Sequence, residues 1–147
     1  MLNALDIAKY ILSKTISEEE EKDISHLKLQ KLLYYCQGFH LAIFNQPLFD
    51  DKIVHWDHGP VVPSVYKKYK SYGNSVLPAL EGCEKIAPAS KNVIDEVLQV
   101  YDQFSPWKLR EMTHREDPWL QTDDCQVITH EKLSNYFKAR LIVDGQK

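Results

Sequence analysis

The sequence predicts a mainly α fold: a single compact domain of about six helices with a minor two-stranded β element. Three observations carry that expectation. Apolar residues recur at helical spacing in several separate segments of the chain. Capping residues and prolines bracket those segments. Strand signals are confined to short runs near residues 53–56 and 84–86, too little for a sizeable sheet. A length of 147 residues fits one domain spanning 1–147. Such a chain buries ~68–70% of its extended surface.

The first helix is expected from about residue 4 to 14. Asn3 is its cap, Asp6 lies in the first turn, and Leu5, Ala8, Ile11 and Leu12 form its apolar face. The run Glu18 to Glu21 reads as a solvated loop or frayed edge with no function of its own. Ser25 caps a second helix over about 26–45. Its apolar stripe of Leu29, Leu32, Leu33, Cys36, Phe39, Leu41, Ile43 and Phe44 is too broad for a surface helix, which predicts a central position. Gly38 costs roughly 1 kcal/mol relative to alanine inside a helix, so its presence predicts close approach by another element. Tyr34, Tyr35 and Phe39 are expected to pack in the core.

Asn45, Gln46 and Pro47 end that helix, and Ile53 to Trp56 reads as a strand. The next stretch, Trp56-Asp57-His58-Gly59-Pro60-Val61-Val62-Pro63, is the part most constrained by local chemistry. Gly59 reaches backbone angles closed to other residues, and Pro60 fixes its own φ and biases Gly59 away from the helical region. A sharp corner at Gly59-Pro60 is therefore expected, with a helix restarting at Pro63 and running to about residue 72. Gly73-Asn74 would end it, and residues 74–88 read as an irregular connection. Ser90 is expected to start the next helix, with Val93, Ile94, Val97, Leu98 and Tyr101 buried. Ser105-Pro106 is a stop-and-restart signal for a helix over about 106–115 with Leu109 and Met112 inward. Asp117-Pro118 breaks it, and Thr129 caps a last helix that buries Leu133, Tyr136, Phe137 and Leu141.

Composition excludes several classes. The chain is 44% apolar and 27% charged, the balance of a soluble globular protein. No apolar run approaches the ~20 residues that span a bilayer, and the N-terminus lacks a secretory signature. Three widely spaced cysteines without a Cys-x-x-Cys pair argue for a reducing cytoplasm and against a disulfide framework or thiolate zinc site. A net charge of −3, from 18 basic and 21 acidic residues, disfavours a dedicated nucleic-acid binder. Lys67, Lys68 and Lys70 form the best local basic patch, and a solvated helix face explains them.

The candidate chemistry is thin, so no catalytic residue, metal site or cofactor is expected. His55 and His58 flank Asp57, but zinc wants three or four convergent ligands. His114 closes a helix, where the dipole favours it and the last carbonyls are within its reach. A small hydrolase would need His58, Asp57 and His114 to converge as acid and base. No Gly-x-Ser-x-Gly elbow or glycine-rich phosphate loop is present.

Three blocks together resemble a known family. Leu27 to Gly38 reads LKLQKLLYYCQG, close to the family's "LKLQKLLYYxQG" helix. Trp56 to Tyr66 is similar to its "W-x-x-GPV-x-P-x-x-Y" corner, and Thr113-His114 through Pro118-Trp119 to its "TH-x-x-x-PW" block. The family is the Panacea domain, also described as the SocA-like antitoxin or GepA-like phage-associated family. The resemblance implies a mainly helical, cytoplasmic, prokaryotic or phage-borne antitoxin. Such a protein binds a toxin encoded beside it, and one type delivers its toxin to a cellular protease.

The resemblance assigns structural motif positions to Leu29, Gln30, Lys31, Leu32, Tyr34, Trp56, His58, Gly59, Pro60, Val61, Thr113, His114 and Pro118. His55 and Asp57 stand where alanine and lysine are common in the family, and these departures are expected to tune partner choice. On its length the chain is expected to lack the appended DNA-binding domain of some members, which puts autoregulation by operator binding in doubt. Aromatic and arginine anchors dominate protein interfaces, which makes Tyr66, Tyr69, Tyr72, Arg115 and Trp119 the candidate partner contacts. Tyr34 and Trp56 are expected to support the corner from within. The competing readings are a His/Asp-dependent hydrolase and a nucleic-acid-associated phage protein.

Overall fold

A computed structural model describes residues 2–15, 25–72 and 86–145. Among these, the helices are α1 (Ala4–Thr15), α2 (His26–Phe44), α3 (Pro63–Tyr69), α4 (Pro88–Tyr101), α5 (Pro106–His114), α6 (Asp117–Leu120) and α7 (His130–Gly145). The strands are β1 (Ile53–Trp56), β2 (Gly59–Val61) and β3 (Val127–Ile128), and a 3-10 turn at Lys70–Tyr72 extends α3. The fold is mainly α, with one more helix and one more strand than the sequence predicts.

α2 is the central element. It packs against α7, α4, α5, α1 and α3, which explains why nearly its whole circumference is buried. Ser25 caps it as expected, with Oγ accepting from Lys28 N at 3.3 Å. Asn45 ends it in the left-handed conformation, φ 57°. The close approach expected at Gly38 is made by α7. A Cβ there would stand 2.3 Å from two carbons of the Phe137 ring. Phe137 is itself fully buried among Tyr34, Tyr35 and Phe39.

The caps explain most helix starts. Asn3 Oδ1 accepts from Asp6 N at 2.9 Å, closing the first turn of α1. Ser105 Oγ accepts from Lys108 N at 3.0 Å and Thr129 Oγ1 from Lys132 N at 3.1 Å. Two starts differ from expectation. α4 begins at Pro88 after Ala87, not at Ser90. Proline loses no hydrogen bond at a first helical turn, and Ser90 Oγ instead meets His40 Nε2 at 2.9 Å. Asp117-Pro118 does not simply break the chain. It opens the short helix α6, again with proline in the first turn.

The sheet has the order β2-β1-β3 with antiparallel neighbours. Trp56 pairs with Gly59, so the chain reverses at Asp57-His58, not at Gly59-Pro60. Gly59 and Pro60 lie inside β2. Pro60 is tolerated because β2 is an edge strand that needs no donor there. The restart of the helix at Pro63 is as expected. β3, which the sequence reading missed, pairs Ile128 with Ile53 and Val127 with Val54. The Glu18–Glu21 run, the Gly73-Asn74 stop, and Glu84 and Lys85 of the second expected strand lie outside the described residues.

Candidate functional site

Most of the buried polar residues of α2 hold a distant piece of backbone or a buried acid. Gln30 Oε1 accepts from Val62 N at 2.7 Å, and its Nε2 lies 2.9 Å from His26 Nε2. An amide nitrogen only donates, so His26 Nε2 accepts and the ring is neutral. Burial first, then the Lys31 charge, lowers the His26 pKa to about 4. Lys31 Nζ donates to Pro60 O at 3.0 Å. Lys31 is fully buried, and desolvation followed by the Arg110 charge lowers its pKa to about 7. Gln37 binds the 48–49 segment through Leu48 N, 2.7 Å, and Phe49 O, 2.8 Å.

Tyr34 and Tyr35 donate one hydroxyl each, both at 2.8 Å, to the two carboxylate oxygens of Glu116. Glu116 is buried between α5 and α6, and desolvation raises its pKa to about 7 even though both hydroxyls oppose that shift. Tyr34 thus holds the α5–α6 junction and does not support the hairpin, contrary to the sequence expectation.

The Thr113-to-Trp119 block reaches the hairpin from the opposite side. Trp119 Nε1 donates to Trp56 O at 3.1 Å. The His55 and His114 rings both stack on Trp119 with centroids at 4.1 Å. The His114 ring bonds the Asp57 backbone, not the last carbonyls of its own helix. Its Nε2 is buried without a hydrogen-bond partner, and desolvation lowers the His114 pKa, with the Arg110 charge adding to it. His55 Nδ1 lies 2.9 Å from Trp119 O and its Nε2 3.2 Å from Asp124.

Gly59 is where the blocks meet. Its φ is +113°, and a Cβ on it would stand 2.6 Å from Lys31 Cε and 2.9 Å from Thr113 Oγ1. One glycine therefore touches a side chain from α2 and a side chain from α5 while shaping the hairpin between them.

A family model described as antitoxin SocA-like, Panacea domain, matches residues 29–120, which contain the Lys31, Gly59 and Thr113 contacts and the Trp119 stack. The chain belongs to this family. Antitoxin SocA of Caulobacter vibrioides (strain NA1000 / CB15N) is 35% identical over 72 residues, covering 49% of this chain. The match spans only 37% of that relative's own length. No solved structure matches. Membership accounts for the three blocks as one construction: a central helix and a helical corner clamp a small hairpin.

The clamped hairpin fronts a groove of about 730 Å³. Trp56, Tyr66 and Trp107 are its aromatic walls, and its polar lining includes His26, His58 and Lys70 together with Asp57 and Asp124. Trp56 and Tyr66 meet edge to face at 5.0 Å, and the Tyr66 ring stacks on His26 at 4.8 Å. A second concavity of about 540 Å³ lies between α6 and α7, around Tyr136 and Arg140.

Of the candidate partner contacts, Tyr66 is 38% exposed and lines the groove. Arg115 is exposed, and Trp119 is half-buried in its histidine stack. Tyr69 is only 1% exposed, because it faces the core from α3, and is not a surface anchor. The Tyr72 side chain lies outside the described residues. Trp107, 61% exposed, is the anchor the sequence reading missed. It sits about 200° around the helix from buried Leu109, so the same periodicity that buries Leu109 turns it outward.

Asp57 and His58 form the hairpin tip and His114 lies beneath it on the Asp57 backbone, but among the described residues no hydrogen bond links the side chains of the three to one another. No group of three or more metal-ligating residues is found among the described residues, and none of their helices is long and apolar enough to cross a membrane.

Proposed function

We propose that the protein acts as one Panacea-like domain in the cytoplasm, as a non-enzymatic antitoxin that neutralises a protein toxin encoded by the adjacent gene. Direct contact at the hairpin groove is the means, with occlusion of the toxin's working surface as its effect. The observation that carries this reading is the meeting of all three family blocks at Gly59. So much buried polar chemistry devoted to one hairpin makes sense where the hairpin must present a fixed surface. That surface carries tryptophan and tyrosine, residues enriched among interface anchors. A stable complex requires roughly 1,200–2,000 Å² of buried area, of which the groove would be the centre.

The test is co-expression of the adjacent gene's product with and without this protein. The expected result is growth arrest by the product alone, rescue by this protein, and co-purification of the two. A neighbour that is harmless alone and never associates removes the reading. Rescue that disappears when a cellular protease is deleted, with binding intact, replaces occlusion by delivery to that protease.

A further inference from the structure

Arg110 stands one turn along α5 from Trp107. Its guanidinium lies over the Trp107 ring at 5.3 Å, and its Nε donates to His58 Nδ1 at 3.2 Å. Arginine nitrogens only donate, so His58 Nδ1 accepts and the neutral ring carries its proton on Nε2. His58 and Trp107 meet edge to face at 6.1 Å. Among the described residues, no carboxylate comes within ion-pair distance of Arg110, and its two terminal nitrogens have no hydrogen-bond partner.

The surrounding charge sharpens this. Lys31 and His114 lie close enough to feel the Arg110 charge, and both are positive or potentially so. The acids nearby are Asp57 at the hairpin tip and Glu111 beside Arg110 in the chain, both exposed and neither paired with it. Asp124, across the groove, faces His55. A half-buried arginine, stacked on an exposed tryptophan and lacking an acid, has its fork of donors ready for a planar acceptor.

We propose that the Arg110 terminal nitrogens and the His58 Nε2–H form a receptor for a carboxylate side chain on a protein partner, with the Trp107 indole as the apolar ledge beside it. The occupant is an acidic segment with an apolar neighbour that extends toward Trp56 and Tyr66. Charge complementarity selects it, because an incoming carboxylate supplies the acceptor that this cationic cluster lacks. A basic segment would meet Arg110 without an acceptor to offer it. The inference rests on the antitoxin reading and names the chemistry at its docking surface.

The test uses the full chain, labelled with nitrogen-15, and the blocked tetrapeptide Leu-Glu-Asp-Leu as probe, with Leu-Gln-Asn-Leu as its uncharged copy. The expected result is a saturable shift of the Trp107 indole N–H and the Arg110 Nε–H by the acidic peptide. Binding of the amide copy should be about tenfold weaker or worse, since charge-assisted bonds are roughly twice as strong as neutral ones. Arg110→Gln should abolish the preference. Trp107→Ala, a change at an exposed position that the fold tolerates, should weaken both peptides.

Equal shifts from the two peptides, no shift at these groups, or an unchanged preference in Arg110→Gln overturns the proposal. So does concentration-dependent self-association that the peptide cannot displace, which would assign the surface to a second copy of the chain. A toxin that wild type and Arg110→Gln neutralise equally also overturns it, while leaving the antitoxin reading intact. Failure of wild type to bind or neutralise the neighbouring product removes the antitoxin reading instead.

Discussion

Lys31→Met tests the clamp beneath the hairpin. Lys31 is fully buried, and its pKa falls from 10.5 to about 7. Between those values the unfolded chain binds a proton that the folded one has released. Stability therefore rises with pH across that window, and below pH 7 the whole cost of burying the ammonium is present. The slope is at most about 1.4 kcal/mol per pH unit. From pH 7.5 to 9.5 the wild-type protein should gain about 2–3 kcal/mol from this one group. Methionine is similar in length and does not titrate, so the variant lacks that gain. It also leaves Pro60 O without its donor, a pH-independent cost of roughly 1–3 kcal/mol. Urea unfolding followed by circular dichroism at several pH values measures both. The variant should compare best with wild type near pH 7 and lose ground steadily toward pH 9.5. Two stability curves that run parallel over that range would refute the reasoning, because Lys31 would then keep its proton in the fold as an exposed lysine does.

Other expectations follow from the same geometry. Glu116→Gln should remove a pH dependence of opposite sign. The raised pKa of Glu116 makes the folded state bind the extra proton between pH 4.5 and about 7, so wild-type stability from this group falls as pH rises through that window. The wild-type-minus-variant difference in urea unfolding should drop by up to about 3 kcal/mol from pH 4.5 to 7. Gly38→Ala gains roughly 1 kcal/mol of helix propensity, yet its methyl would press on the Phe137 ring. With an overpacking cost of roughly 1–3 kcal/mol, it should destabilise on balance by up to about 2 kcal/mol in thermal or urea unfolding. Phe137→Leu should be less damaging in the Gly38→Ala background than alone, a coupling that a double-mutant cycle reads directly. Gly59→Ala combines a positive φ with collisions against Lys31 and Thr113. It should cost roughly 2 kcal/mol or more, and the loss should be seen in unfolding as well as in partner binding.

Much of the fold was legible because its signals are local. Asn3, Ser25, Ser105 and Thr129 cap helices where the sequence places the caps. The breadth of the α2 stripe marked it as central, and Gly38 announced the approach that Phe137 makes. The hairpin turns two residues earlier than its Gly-Pro pair suggests. Gly-Pro is a strong turn signal, but the edge position of β2 makes proline acceptable inside it, and Asp57-His58 close the turn. β3 is two residues long and carries no alternation to read.

The site was legible only in part. The family blocks named Gln30, Lys31, Thr113 and His114, but hydropathy could not show what they hold. Their partners Val62, Pro60, Gly59 and Asp57 are 32, 29, 54 and 57 residues away in the chain. The bond between Tyr35 and Glu116 is hidden in the sequence for the same reason, since the pair exists only once α2 meets the α5–α6 corner. Tyr69 shows the converse error. An aromatic residue among lysines reads as surface, but α3 turns it onto the core.

The central claim is that the clamped hairpin and its groove are where the toxin is held. Hydrogen–deuterium exchange of this protein, alone and bound to the purified product of the adjacent gene, tests it most directly. The account predicts added protection at the hairpin around Trp56–Val61 and at the start of α5 around Trp107. Protection confined to the outer faces of α1 and α4, with the hairpin and α5 unchanged, would contradict it.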